Sequence, residues 1–256
     1  MNKRGQVTSF IILGIVLVVI AFVVFYFFGD VLIKQKKEVI FDESEIEPLK
    51  NYVEECIKLN GEDGLNLIGK QGGDINLGLY KIYHNEMINY LCYTENYSAC
   101  YNRRPFLEKH IEDELNVFML EKLRNCIDLD LIRGEGYIVE EGEMVVDTNI
   151  GDEVVIININ YPITIRKGND VIEEERFSET FNVPLGKLLK VTKDIIDYES
   201  NPNITPIMEF DVLSYMIRYM GEIEINVDVV QNSRVYFINK KGDDFVFRFA
   251  TQKWVH

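Results

Sequence analysis

The sequence predicts an α+β fold, with helices packed on an antiparallel sheet behind a single N-terminal membrane-spanning helix. Three observations predict it. Residues 10–28 read FIILGIVLVVIAFVVFYFF without a charge, segments between residues 46 and 126 place apolar residues at helical spacing, and from residue 136 onward β-branched runs alternate with Gly-containing turns.

Sixteen of the nineteen residues in the apolar run are Val, Ile, Leu or Phe. At about 1.5 Å per residue a helix of this length spans nearly all of a ~30 Å hydrocarbon core. At roughly −0.3 to −0.6 kcal/mol per residue, insertion is favoured by about 5 to 10 kcal/mol. A buried core helix or a cleaved secretory signal is the competing reading. The run exceeds a usual signal core and no small-x-small cleavage site comes after it. Residues 30–41 then form a juxtamembrane linker, with Lys34, Lys36 and Lys37 at headgroup level.

The formal charge of −15 is unevenly spread, because residues 1–37 carry a net +4 and the remainder −19. Such an acidic body is repelled by phosphate backbones, which argues against a nucleic-acid partner, while the basic flank suits membrane lipid. The flanking charges leave the orientation undecided. Four cysteines and two acceptor sequons, Asn96-Tyr97-Ser98 and Asn203-Ile204-Thr205, fit a body outside the cell.

Ahead of the run stands Lys3-Arg4-Gly5-Gln6. This start, with an apolar helix immediately after it, resembles the class III, type IV pilin-like signals of archaeal surface proteins. The resemblance implies cleavage between Gly5 and Gln6 by a prepilin-type peptidase on the cytoplasmic side. Residues 1–5 become a leader and residues 6–29 a retained single-pass anchor, with the N-terminus cytoplasmic and the large domain outside the plasma membrane. The chain departs from the pattern at Phe10, where such pilins usually carry an acid that registers neighbouring subunits. That departure favours anchoring over polymerisation. The body also resembles membrane-anchored archaeal surface proteins, in its Glu54-Glu55-Cys56-Ile57 helix and its Gln71-Gly72-Gly73 break. That likeness implies no activity.

Residues 42–256 form the extracytoplasmic domain, with a helical, disulfide-bearing part over 42–134 and a β-rich part over 135–256. Asp42-Glu43-Ser44 supplies capping chemistry, Pro48 suits a first turn, and Ile46, Leu49, Val53, Cys56 and Ile57 recur at helical spacing. Gly61, Gly64 and Gly69 punctuate the next stretch, and Gln71-Gly72-Gly73 breaks into extended structure. No Lys-Ser or Lys-Thr comes after these glycines, so they make a turn rather than a phosphate cradle. From Leu77 to Tyr101 the chain holds six tyrosines in short strands and loop. They pack on the body's own core or, alternatively, form a contact surface.

Pro105 opens a second helix with the stripe Leu107, Ile111, Leu115, Phe118, Lys122 and Cys126. Cys56 and Cys126 lie on matching helix faces, and Cys92 and Cys100 bracket the Asn96 loop. Of the three pairings that four cysteines allow, Cys56–Cys126 with Cys92–Cys100 is therefore preferred. A four-cysteine metal site lacks any close Cys-x-x-Cys pair. Runs over Gly136–Val139, Glu143–Thr148, Glu153–Arg166 and Val171–Pro184 predict one antiparallel sheet. A helix over Leu185–Tyr198 and a shorter one over Phe210–Tyr219 come next. Alternating residues from Glu222 to Val229, then Val235–Asn239 and Phe245–Ala250, complete a sheet with one wet face.

The inventory for catalysis is thin. His84, His110 and His256 form no His-Glu-x-x-His pair, and no serine sits in Gly-x-Ser-x-Gly. The acidic groups Glu140-Glu141-x-Glu143, Glu173–Glu175 and Glu222, Glu224, Asp228 match no calcium loop. No catalytic, cofactor-binding or metal-ligating residue is assigned. The expectation is a non-catalytic, pilin-like surface structural or adhesion protein that meets membrane lipid and either itself or another surface protein. The alternative is an anchored extracellular hydrolase or solute-binding module. Exposed tyrosines around the Cys92–Cys100 loop with no deep polar pocket favour the first. A His84 or His110 bonded to a carboxylate in a cleft favours the second.

Overall fold

The computed structural model describes residues 47–95, 99–134, 136–168, 170–201, 214, 217–219 and 221–252. The apolar run 10–28, the Gly5-Gln6 processing site, Asn96, Asn203, His256 and six of the ten residues of the 210–219 helix lie outside the described residues. The chain divides between Asp42 and Glu43, and every described residue belongs to the second unit. Among the described residues no helix is long and apolar enough to cross a membrane.

The fold is α+β. Its first helix, α1 (Glu47–Gln71), runs straight through the glycines expected to end it. Leu49, Val53, Cys56, Ile57, Leu65 and Ile68 form one buried stripe, and Gly61, Gly64 and Gly69 occupy positions in it. A Cβ at Gly61 would stand 2.3 Å from the Phe181 ring, and one at Gly64 would stand 3.0 Å from Phe118. Each glycine costs about 1 kcal/mol of helix propensity relative to Ala, and close packing offsets it. The break comes at Gly72 and Gly73, whose φ of +79° and +93° only glycine adopts cheaply; both amides return to the Ile68 carbonyl.

Helix α2 (Leu107–Cys126) buries Leu107, Ile111, Leu115, Met119 and Leu123, a strict i+4 row, so the stripe runs through Met119 and Leu123 rather than Phe118 and Lys122. Cys56 and Cys126 are bonded with Cα atoms 5.9 Å apart, and Tyr52 Oη donates to the last carbonyl of α2, at Cys126, over 2.8 Å. Cys92 and Cys100 form the second disulfide. A short α3 (Asp130–Gly134) and the amphipathic α4 (Leu185–Glu199) complete the helices described.

There are two sheets: the run 136–184 forms one antiparallel sheet of its own, as expected, and the terminal strands of 222–252 form the other together with the early strands of 80–102. Strands β1 (Tyr80–Tyr83), β2 (Glu86–Tyr93), β8 (Ile223–Val230), β9 (Ser233–Lys240) and β10 (Val246–Gln252) form the first, in the order β1-β2-β10-β9-β8, with the two-residue β3 (Tyr101–Asn102) also on β2. Its β2–β10 junction is parallel and short, and it joins the early part of the chain to the end. The second sheet is contiguous: β4 (Ile138–Glu141) and β5 (Val145–Ile150) both pair with β6 (Val155–Lys167), which forms a long hairpin with β7 (Asp170–Phe181). Its register shifts between Asn160 and Ile163, where Pro162 has no amide to give. Helix α1 touches β10 and β2 of one sheet and β7 of the other, so the helices lie between the sheets.

The first sheet is curled. Tyr83 on β1 donates to Asp228 on β8 at the opposite edge, and Lys81 Nζ donates to Gln231 Oε1 over 2.9 Å. The face expected to be wet therefore carries its own apolar cluster, Ile88, Tyr90, Val235 and Ala250, flanked by Leu79, Tyr83, Tyr93 and Phe237. The opposite face buries Leu91, Tyr236, Ile238, Phe247 and Phe249.

Candidate functional site

Three places gather chemistry. The first is the turn after Gly73. Asp74 is 2 % exposed and accepts from Arg104 Nη2 at 2.8 Å, Arg104 Nε at 3.2 Å and His110 Nε2 at 2.6 Å. Burial alone would raise this carboxyl, but the hydrogen bonds from His110 and Arg104 and their charge outweigh it and hold it below its ordinary value. Glu114, one turn further along α2, accepts from the Ile75 amide at 2.8 Å. The cluster thus clamps the loop after α1 onto the first turns of α2.

Beside it, a cleft of about 300 Å³ lies between the start of α2 and α4, with Leu189 and Ile196 among its lining. Arg104, Lys109, Lys190 and Lys193 reach it, whereas His110 and Asp74 do not line it. Each cation already faces a carboxylate: Lys109 with Asp113 at 3.0 Å, Lys190 with Asp152 at 2.5 Å, Lys193 with Asp197 at 2.5 Å, and Arg104 with Asp74. Little positive charge is left over for an anion.

The second is Glu199, 1 % exposed at the end of α4. It accepts from Arg234 Nη1 at 2.5 Å and from the buried Tyr236 hydroxyl. Burial and then the Glu199 charge push the Tyr236 hydroxyl well above its ordinary value, so it stays a neutral donor. This cluster fixes α4 to β9.

The third is an open cleft of about 530 Å³ on the curled sheet, between β1, the β8–β9 turn and the end of β10. Tyr80, Tyr90 and Tyr93 face Gln231, Asn232 and Gln252, with Lys81 at the edge. The Tyr90 and Tyr93 rings meet at 5.1 Å and 56°, and the buried Tyr90 hydroxyl shares a 2.6 Å hydrogen bond with Ser233. Outside the cleft, Met87, Tyr101 and Phe106 are exposed.

The cysteines pair as the helix faces and loop spacing predict. The tyrosines divide: Tyr90 is buried in the sheet's own cluster, while Tyr80 and Tyr101 are exposed. His84 sits in the β1–β2 turn with φ of +49° and stacks on Tyr83 at 4.2 Å. Glu141 binds Arg133 and Tyr161, and Glu140 faces Arg166 at 3.4 Å, so these acids are partnered on the surface. Among the described residues no group of three or more His, Cys, Asp or Glu side chains is placed to hold a metal ion. Sequence reasoning missed Asp74, Arg104, Gln231 and Gln252, whose partners are distant in the chain, and Asn232, which a hairpin turn brings beside Gln231 and Gln252. Compared with known proteins, the chain matches no family model, no curated protein and no solved structure.

Proposed function

We propose that this chain is a single-pass, membrane-anchored cell-surface protein whose disulfide-bonded α+β unit serves adhesion or binding rather than catalysis. The anchor is the run Phe10–Phe28 behind a pilin-type leader cut between Gly5 and Gln6, the cell is archaeal, and the large unit faces outward. The exposed aromatic and apolar surface around the first sheet, Tyr80, Ile82, Met87, Tyr101 and Phe106, carries the reading. The two disulfides support the outward orientation, since such bonds persist in oxidising surroundings.

Intact mass and topology of the native protein test it. The mature chain should begin at Gln6, resist alkaline carbonate extraction and be cleaved by protease added to intact cells. Retention of residues 1–5 sinks the pilin-type leader, and protection from external protease sinks the outward orientation. Purification in mild detergent should bring down a surface partner or further copies of the chain.

The His110–Asp74 pair favours a second reading, an anchored hydrolase with His110 Nδ1 as general base. Its bidentate arginine and the loop amides held by Glu114 make the pair a clamp instead. Asp74→Asn should cost about 2 to 3 kcal/mol of stability, as breaking a mostly buried ion pair does. A hydrolytic activity of the native protein that disappears in His110→Gln while the fold persists would restore the enzyme.

A further inference from the structure

We infer that the cleft between β1 and the β8–β9 turn binds a neutral sugar unit of a surface glycan. The inference rests on the surface-binding reading and names its ligand class. In a chain with 42 acidic residues, none of the described residues that line the cleft is acidic. Two kinds of group dominate the lining instead. Tyr80 and Tyr93 offer ring surface, and tyrosine presents a flat apolar face with a polar tip, which suits the C–H face of a pyranose ring and its hydroxyls. Gln231, Asn232 and Gln252 offer amides, each able to donate and accept, which matches vicinal hydroxyls better than a fixed charge does.

Those amides are partly unspent. Gln252 Oε1 accepts from the Thr94 amide at 2.8 Å and Gln231 Oε1 accepts from Lys81, which leaves the NH2 of each side chain without a partner among the described residues. Asn232 is exposed and has no side-chain partner among the described residues. The Gln231 backbone is held at φ +59°, a left-handed conformation uncommon for a residue other than Gly, Asn or Asp. That φ is set by the two-residue β8–β9 hairpin turn, Gln231-Asn232, which holds the Gln231 side chain against Lys81 at the cleft edge.

The test is titration of the full chain in lauryldimethylamine oxide, a detergent whose headgroup holds no sugar. Mannotetraose, maltotetraose and chitotetraose are added separately and monitored by calorimetry and by saturation-transfer NMR on the sugar. At least one should bind saturably. Tyr93→Ala should weaken it about tenfold and the exposed Asn232→Ala severalfold, while Val117→Ala, exposed on α2 and outside the cleft, leaves it unchanged. Asn232 lies in a surface turn, so its variant keeps the test readable if Tyr93→Ala unfolds. Absence of saturation with all three sugars, binding unaffected by Asn232→Ala, or preference for tetragalacturonate or tetraglycine at the same site overturns the assignment. Membrane extraction and surface proteolysis do not depend on sugar, so failure here is distinct from failure of the anchored-surface reading.

Discussion

The two sheets use similar residues and are assembled in opposite ways. The second is contiguous from Ile138 to Phe181, each strand pairing with a near neighbour in sequence, and its β6 buries alternate residues from Val155 to Ile165. The first closes residues 80–93 against 223–252 through the short β2–β10 contact, then curls until Tyr83 meets Asp228. Local pairing thus yields a half-buried sheet whose own open cleft is lined by Glu173, Glu174 and Glu175, whereas long-range closure yields a second apolar face and a cleft lined by tyrosines and amides. Surface chemistry of interest therefore collects on the sheet whose pairing is least local.

The largest expected effect acts on the helices shared by both sheets. Replacing Cys56 and Cys126 by Ala opens a loop of sequence separation 70 and should cost about 4 kcal/mol on the chain-entropy model. Denaturant unfolding should show it, with hydrogen exchange rising in both sheets. The Cys92–Cys100 loop has a separation of only 8, so its loss should cost about 2 to 3 kcal/mol and stay within the first sheet.

Next in size, Glu199→Ala removes the buried carboxylate that Arg234 and Tyr236 both hold and should cost about 3 kcal/mol. Exchange should rise in β9 and α4 while β6 and β7 stay protected; equal loosening of both sheets breaks the contrast between them. Gly61→Ala is a smaller test with an unexpected sign. Helix propensity predicts a gain of about 1 kcal/mol, but the Phe181 ring occupies the space of the new methyl, so a net loss of about 1 to 2 kcal/mol is expected. A stabilised variant would show that the ring moves aside freely.

The smallest effect tests a surface link between the sheets. Glu153 accepts from Lys187 at 2.8 Å and from Lys240 at 2.6 Å, and these bonds lower its pKa from 4.5 to about 2. A depressed carboxyl stabilises fully above 4.5 and loses that contribution as pH falls toward 2. Glu153→Gln should thus lower the thermal midpoint slightly at pH 7 in low salt, with a difference that shrinks as pH falls from 4.5 through 2. High salt should erase the difference, because the groups are open to solvent.

Much of this was legible in residue order. The Leu185–Tyr198 helix, the β4–β7 segments and both disulfides arise from periodicity, turn glycines and matched helix faces, all of which are short-range or pairwise signals. The glycines of α1 misled, since the residue that ends a helix in isolation also lets a helix approach a phenyl ring, and only the neighbour decides which. His110 gave no signal because its partners, Asp74 and Arg104, reach it through the turn at Gly72-Gly73 and the approach of two helices.

By itself the sequence determined the element types, the cysteine pairing and the charge contrast between the first 37 residues and the rest, because these depend on local propensity and composition. Tertiary structure alone decided that the early strands join the terminal ones in one sheet, that Tyr83 meets Asp228, and that three tyrosines line one cleft with three amides. Those outcomes depend on how far the first sheet curls, and curl is set by packing over the whole sheet rather than by any short run of residues.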